Sequence, residues 1–139
     1  MVATKASWTL DDFSASWDQG AAMLLKNGTT TVADIEAIPE LIPNAWHRTP
    51  LRVLSFRELL NVRSRVPAAE IVERAVNDWL NIPNSDRRVG LSPHAPYTTT
   101  RELLEHAARA ASRRGWRLTT HLAESEQEFE MYMYRQGAL

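Results

Sequence analysis

The chain has 139 residues, 44% of them hydrophobic and 24% charged, with a formal net charge of −1. That length supports one domain with a hydrophobic core and that composition excludes a wholly disordered chain, while a near-zero charge leaves no electrostatic footprint for nucleic acid or an anionic membrane. Cysteine is absent, which excludes a disulfide framework, thiolate metal sites and thiol nucleophiles together, so any metal must be held by nitrogen and oxygen.

The segment from Met1 to Phe13 lacks the apolar run of a signal peptide, and no stretch is long enough to cross a bilayer. A cytoplasmic protein is the expectation. The first helix is expected from Leu10, capped by Thr9, with Asp11 and Asp12 favouring its first turn. Phe13, Trp17, Gly20, Ala21 and Leu24 recur at helical spacing, and Asn27-Gly28 should end the helix. The β-branched stretch from Thr29 to Ile35 reads as a strand. Pro39, Pro43 and Pro50 punctuate the next stretch, where a short helix is expected around Leu41 to His47, followed by a strand from Leu51 to Phe56.

Beyond Pro67, which suits a first helical turn, Ala68, Ile71, Val72, Ala75, Val76, Trp79 and Leu80 form one apolar stripe. A third strand is expected over Arg88 to Ser92. The next helix is expected over Thr98 to Arg114, with Leu103, Leu104, Ala107, Ala108 and Ala111 on one face and Gly115 at its end. A fourth strand is expected over Trp116 to Thr120, and a last helix from about Ser125 towards Gln136. Trp8, Trp17, Trp46, Trp79 and Trp116 fit apolar stripes or element ends and read as core. The pairs Arg87-Arg88 and Arg113-Arg114 read as solvated turn and helix-end charges.

Helices thus alternate with strands along the whole chain, which implies parallel pairing with helical crossovers. Four such units are half of an eight-unit barrel, which needs about 250 residues. The fold expected is α/β, a partial (β/α)8 TIM-type barrel holding about strands 2 to 5 in a single incomplete domain over residues 1–139. A small open α/β sheet is the alternative that periodicity leaves standing.

Two segments carry candidate chemistry. In Leu91-Ser92-Pro93-His94-Ala95-Pro96-Tyr97-Thr98, a strand runs into a histidine held between prolines. In Leu118-Thr119-Thr120-His121-Leu122-Ala123-Glu124-Ser125, a strand ends in a histidine with a glutamate three residues on. Both histidines fall at the C-terminal ends of strands, the edge that carries the active site in parallel β/α folds. A neutral imidazole is a good zinc or iron ligand, and a nearby carboxylate can move a proton. The plainer readings are a barrel-mouth polar residue for His121, a helix-start carboxylate for Glu124 and a loop hydrogen bonder for His94. His47 reads as a helix-end cation and His106 as a mid-helix residue. Asp34 and Glu58 follow strands at the same edge, where capping the next element is the expected role. The run Glu124, Glu126, Glu128, Glu130 reads as a solvated helix start, apart from the candidate role of Glu124.

Together with Gly28-Thr29-Thr30-Thr31-Val32-Ala33-Asp34, the two histidine segments resemble the amidohydrolase superfamily. They look like its branch of cytosine deaminase, the chlorohydrolases and the adenosylhomocysteine, methylthioadenosine and aminofutalosine deaminases. The resemblance runs from about Leu10 to the C-terminus. It implies a distorted β/α barrel with one divalent metal, zinc before iron. By resemblance, His121 matches the metal ligand of the fifth barrel strand, Glu124 the proton-shuttling carboxylate and His94 the fourth-strand histidine that contacts substrate.

The His-x-His pair of the family's first strand occurs nowhere in this sequence, and the later His and Asp ligands are absent. The resemblance therefore implies a fragment of a metal-dependent hydrolase acting on C–N bonds, a deaminase of an aminated heterocycle with a small-molecule substrate, nucleoside-like or a nucleobase. The isolated chain is expected to be inactive. The alternative is a non-catalytic half-barrel or interaction module, because an open sheet with edge strands and an uncovered apolar interior favours association, as in a homo-oligomer.

Overall fold

The computed structural model describes residues 7–36, 38–83 and 88–137. Thr9 opens helix α1 (Leu10–Lys26): its hydroxyl accepts from the Asp12 N–H, while the Asp12 carboxylate accepts from the Thr9 N–H, a reciprocal cap. Asn27 closes the helix and Gly28 follows with φ 81°, the left-handed turn that lets the chain reverse into strand β1 (Thr31–Glu36). A 3-10 turn (Pro39–Leu41) leads into α2 (Ile42–Arg48) and strand β2 (Arg52–Leu59), which extends three residues past the expected end at Phe56. Then come α3 (Ala68–Leu80), β3 (Val89–Pro93), α4 (Arg101–Arg114), a two-residue β4 (Arg117–Leu118) and α5 (Glu126–Tyr134).

Several local expectations shift. Pro67 stands one residue ahead of α3, as its N-cap. Thr100, not Thr98, starts α4: its hydroxyl accepts from the Leu103 N–H. Gly115 ends α4 in the left-handed conformation, φ 66°. Leu80 lies off the buried face of α3 and is exposed, and on α4 it is Ala110 rather than Ala108 that packs inward. Trp79 and Trp116 are buried, while Trp8, Trp17 and Trp46 are half-buried. Arg88 lies over the Trp46 ring and Arg114 over Trp116, so these charges stack as well as face water. Arg87 lies outside the described residues.

The strands form one parallel sheet in the order β1-β2-β3-β4. Sequential order with right-handed crossovers places every connecting helix on the same side, which is how a barrel wall is built and not how a doubly wound sheet is built. Side-chain alternation agrees. Val53 packs into the cluster of Ala21 and Leu51 beneath α1, Leu59 and Leu91 pack into the larger cluster of α3 and α4, and Arg57 meets Asp78 of α3. The other face of β2 therefore carries Leu54, Phe56 and Glu58, and the paired face of β3 carries Gly90 and Ser92. The Phe56 ring covers Gly90, where a Cβ would stand 2.5 Å from the Arg117 carbonyl oxygen and 2.6 Å from that ring. Glycine is required there by this close approach. Among the described residues, no helix is long and apolar enough to cross a membrane.

Candidate active site

The ladder continues past the named strand ends, and this positions the histidines. The His94 N–H donates to the Leu59 carbonyl (3.0 Å), the Thr119 N–H to Leu91 (3.1 Å) and the His121 N–H to the His94 carbonyl (2.7 Å). Three adjacent strands thus deliver Glu58, His94 and His121 to one edge. One ligand atom from each lies within 4.8 Å of the others. The two imidazole centroids are 5.1 Å apart.

His94 is held by its own turn. Its Nδ1 lies 2.7 Å from the Thr98 hydroxyl, which donates to the Ala95 carbonyl. That contact ties the His94 ring to its own turn through Nδ1. Pro93 and Pro96 restrict the flanking backbone.

Glu124 enters through a different device. Ala123 takes φ 58°, rare for a residue with a Cβ, which turns the chain sharply after the strand. Ser125 then caps α5 by accepting from the Glu128 N–H. The Glu128 carboxylate reaches back and accepts from the Glu124 N–H at 2.7 Å. The result is a Glu124 carboxylate with two occupied sides. Oε2 accepts from the Tyr97 hydroxyl at 2.8 Å, and Oε1 lies 3.7 Å from His121 Nδ1. The hydrogen bond to Glu124 raises the Tyr97 phenol above its ordinary value. Tyr97 is therefore a hydrogen-bond donor across the neutral range. A raised phenol value stabilises the fold fully below the unfolded tyrosine value, and that contribution is lost as pH rises through the folded value.

Glu128 corrects the reading of a solvated acidic run: it is fully buried, and its Oε1 has no partner among the described residues. The Ser125-x-x-Glu128 spacing, a capping-box pattern, was the available signal. Replacing Glu128 by Ala is expected to leave the Glu124 N–H unpaired and to lower stability by about 1–3 kcal/mol. Glu126→Ala, at an exposed site on the same turn, should stay within about 0.5 kcal/mol. Urea unfolding followed by circular dichroism separates the two.

Glu58 corrects the capping expectation, because it lies inside β2 opposite Ser92. Its signal was the Leu54, Phe56, Glu58 alternation, visible once the strand runs to Leu59. Asp34 lies within β1 and takes the Trp17 indole N–H at 2.8 Å, away from the edge. His47 is exposed in the last turn of α2, and His106 lies 3.8 Å from Glu102 on α4. A cleft of about 850 Å³ adjoins Tyr97, lined also by Asn61, Arg63, Pro96, Met131 and Tyr132. It has the size of a small-molecule site. A second, more apolar groove lies between α1 and β1, remote from both histidines.

Residues 8–135 match the model of the Amidohydrolase family. A 5'-deoxyadenosine deaminase of Methanosphaera stadtmanae is 29% identical over 110 residues, covering 77% of this chain and 26% of that protein. An aminodeoxyfutalosine deaminase of Deinococcus radiodurans is 30% identical over 128 residues, covering 90% of this chain and 30% of that protein. A Xanthomonas campestris adenosine deaminase solved with bound zinc superposes with a TM-score of 0.74 at 20% identity, covering 95% of this chain and 31% of that one. The chain spans under a third of the length of these proteins. The four-stranded sheet is a sector of a TIM-type barrel, as expected from the alternation of elements.

Proposed function

The chain belongs to the amidohydrolase family, and from that premise we propose that it forms one incomplete barrel domain of a hydrolase that removes ammonia from an adenosine-type nucleoside. The observation that carries this reading is the Glu124 carboxylate, fixed between the Tyr97 hydroxyl and the His121 ring at the C-terminal strand edge.

His121 is the residue that would hold a divalent metal, zinc before iron, and its imidazole at the strand edge, beside the Glu58 carboxylate, is donor chemistry that fits such an ion, with His94 left to the substrate. A divalent ion supplies a Lewis acid that makes water a nucleophile at neutral pH. The chain's own residues do the rest. Glu124 accepts at Oε1 a proton of the attacking water, whose oxygen bonds to the ring carbon, and delivers it to the departing amine nitrogen, so that the C–N bond breaks to release neutral ammonia and leave the ring carbonyl. Tyr97 holds the other carboxylate oxygen and keeps Oε1 aimed at the reacting atoms. His94, its Nδ1 committed to Thr98, contacts the substrate through Nε2. The cleft beside Tyr97 has the volume to take the remainder of a nucleoside-sized molecule.

Relatives named for 5'-deoxyadenosine and aminodeoxyfutalosine support an adenosine-type substrate. The test is ammonia release from 5'-deoxyadenosine, methylthioadenosine and aminodeoxyfutalosine by the metal-loaded enzyme that holds these residues in a complete barrel. Turnover of at least one is expected, and turnover of none removes the reading. The 139-residue polypeptide alone is expected to be inactive, because β1 and β4 are edge strands that leave the site open on two sides.

A further inference from the structure

We propose that Glu128 is a positioning residue for the proton carrier: it fixes the main chain of Glu124 and so holds that side chain's Oε1 at the reacting atoms. The inference rests on the role of Glu124 proposed above and deepens it. It gives a part in turnover to a carboxylate set behind the site, on the helix that follows it.

Three observations carry it. The first is reach. At the start of α1 the Asp12 carboxylate returns to the N–H of the capping residue itself, Thr9, at 2.8 Å. The same spacing opens α5, where the Ser125 hydroxyl accepts from the Glu128 N–H at 3.2 Å. Here, however, the returning carboxylate reaches one residue beyond the cap and accepts from the Glu124 N–H at 2.7 Å. Glutamate is one methylene longer than aspartate, and the longer span uses that length. Capping α5 alone does not call for it.

The second is burial. Glu128 is fully buried, and its Oε1 has no partner among the described residues. Taking a carboxylate out of water with one oxygen unmatched is unfavourable. An apolar side chain would pack α5 without that penalty. The hydrogen bond that the carboxylate does make goes to Glu124, so its polarity serves that residue.

The third is what the bond controls. Glu124 follows Ala123, whose φ of 58° is unfavourable for a residue with a Cβ and persists only where the surroundings hold it. Both residues are exposed, so packing does not supply that hold. The Glu124 Oε2 accepts from the Tyr97 hydroxyl at 2.8 Å, while Oε1 lies 3.7 Å from His121 Nδ1. Several side-chain torsions separate the Glu124 N–H from its carboxylate. Tyr97 fixes the far end of that lever and Glu128 the near end. With both ends tied, Oε1 has few positions left to it.

The test compares Glu128→Asp with Glu128→Gln in the enzyme that holds these residues in a complete barrel. Glu128→Asp keeps the charge and the residue type that caps α1, but is too short for the Glu124 N–H. Its kcat should fall about ten- to a hundredfold at little-changed KM, the loss expected when a reacting group is slightly misplaced. Glu128→Gln keeps the length and an acceptor oxygen, and should stay within about threefold of the parent. A residue that only capped α5 would be replaced as well by aspartate, as Asp12 shows at α1. Metal content and circular dichroism melts check that each variant is loaded and folded. A second readout needs neither turnover nor a variant: in the parent, the Glu124 amide hydrogen should exchange at least about tenfold more slowly than in an unstructured peptide. Glu128→Asp should remove that protection and Glu128→Gln should keep it. The proposal is overturned by a Glu128→Asp variant that turns over within about threefold of the parent, by equal losses in the Asp and Gln variants, by a loss confined to KM, or by a Glu124 amide that exchanges like a free peptide. If the parent turns over no substrate, the deaminase reading fails, and the exchange rates still decide whether Glu128 holds Glu124.

Discussion

Replacing Glu124 by Gln, in the enzyme that holds these residues in a complete barrel, is expected to lower kcat by about a thousandfold while leaving the metal bound. The amide is nearly isosteric and still accepts from the Tyr97 hydroxyl, so the side chain keeps its place. What it loses is the capacity to take a proton at Oε1 and hand it on. Positioned general acid–base groups contribute about 10²- to 10⁴-fold, which sets the size of the loss. KM should change little, because the substrate contacts assigned to His94 and the cleft are untouched. The measurement is steady-state ammonia release alongside metal content. Turnover like that of the parent would end the assignment of Glu124 as the proton carrier. Loss of the metal together with activity would make Glu124 a support of the His121 ring instead.

Trp79→Ala is expected to destabilise the 139-residue chain by about 3–5 kcal/mol. Trp79 is completely buried at the centre of the larger core cluster, between α3 and the sheet. Its indole N–H also donates to the Gly90 carbonyl at 2.8 Å, so the truncation leaves a cavity and removes that hydrogen bond together. Trp79→Phe keeps most of the volume but not the donor, and should cost about 1–3 kcal/mol. The difference between the two variants separates packing from hydrogen bonding. Urea midpoints by circular dichroism give both values, and equal midpoints for parent and Ala variant would contradict this account. The Gly90 strand is held by Trp79 on its helix side and covered by the Phe56 ring on its inner side. Damage at Trp79 should therefore reach the edge where β3 delivers His94.

Much of this architecture was legible in the residues. Thr9 with Asp12, and Gly115 after α4, mark helix ends through local chemistry that needs no tertiary partner. The apolar stripe of α3 gave its buried face to within one residue, Leu80, which the helix carries past the edge of the core into solvent. His94 and His121 were readable as strand-end residues because a β-rich run stops immediately before each. Their pairing follows from the parallel order of the strands.

Glu58 and Glu128 were not legible in this way. Both are acidic residues in polar-looking stretches, and local rules assign such residues to caps and solvated turns. Glu58 owes its role to β2 running on to Leu59, an extension stabilised by pairing with β3 and not by its own residues. Glu128 owes its burial to the turn at Ala123, which folds α5 back so that a carboxylate can reach the Glu124 N–H. The sequence by itself determined which elements form, where α1 begins and α4 ends, and which histidines sit at strand ends, because those depend on interactions within a few residues. The tertiary structure decided how far each strand continues, which face of it meets the helices, and which carboxylates join the histidines, because a backbone ladder is completed only by its neighbouring strand.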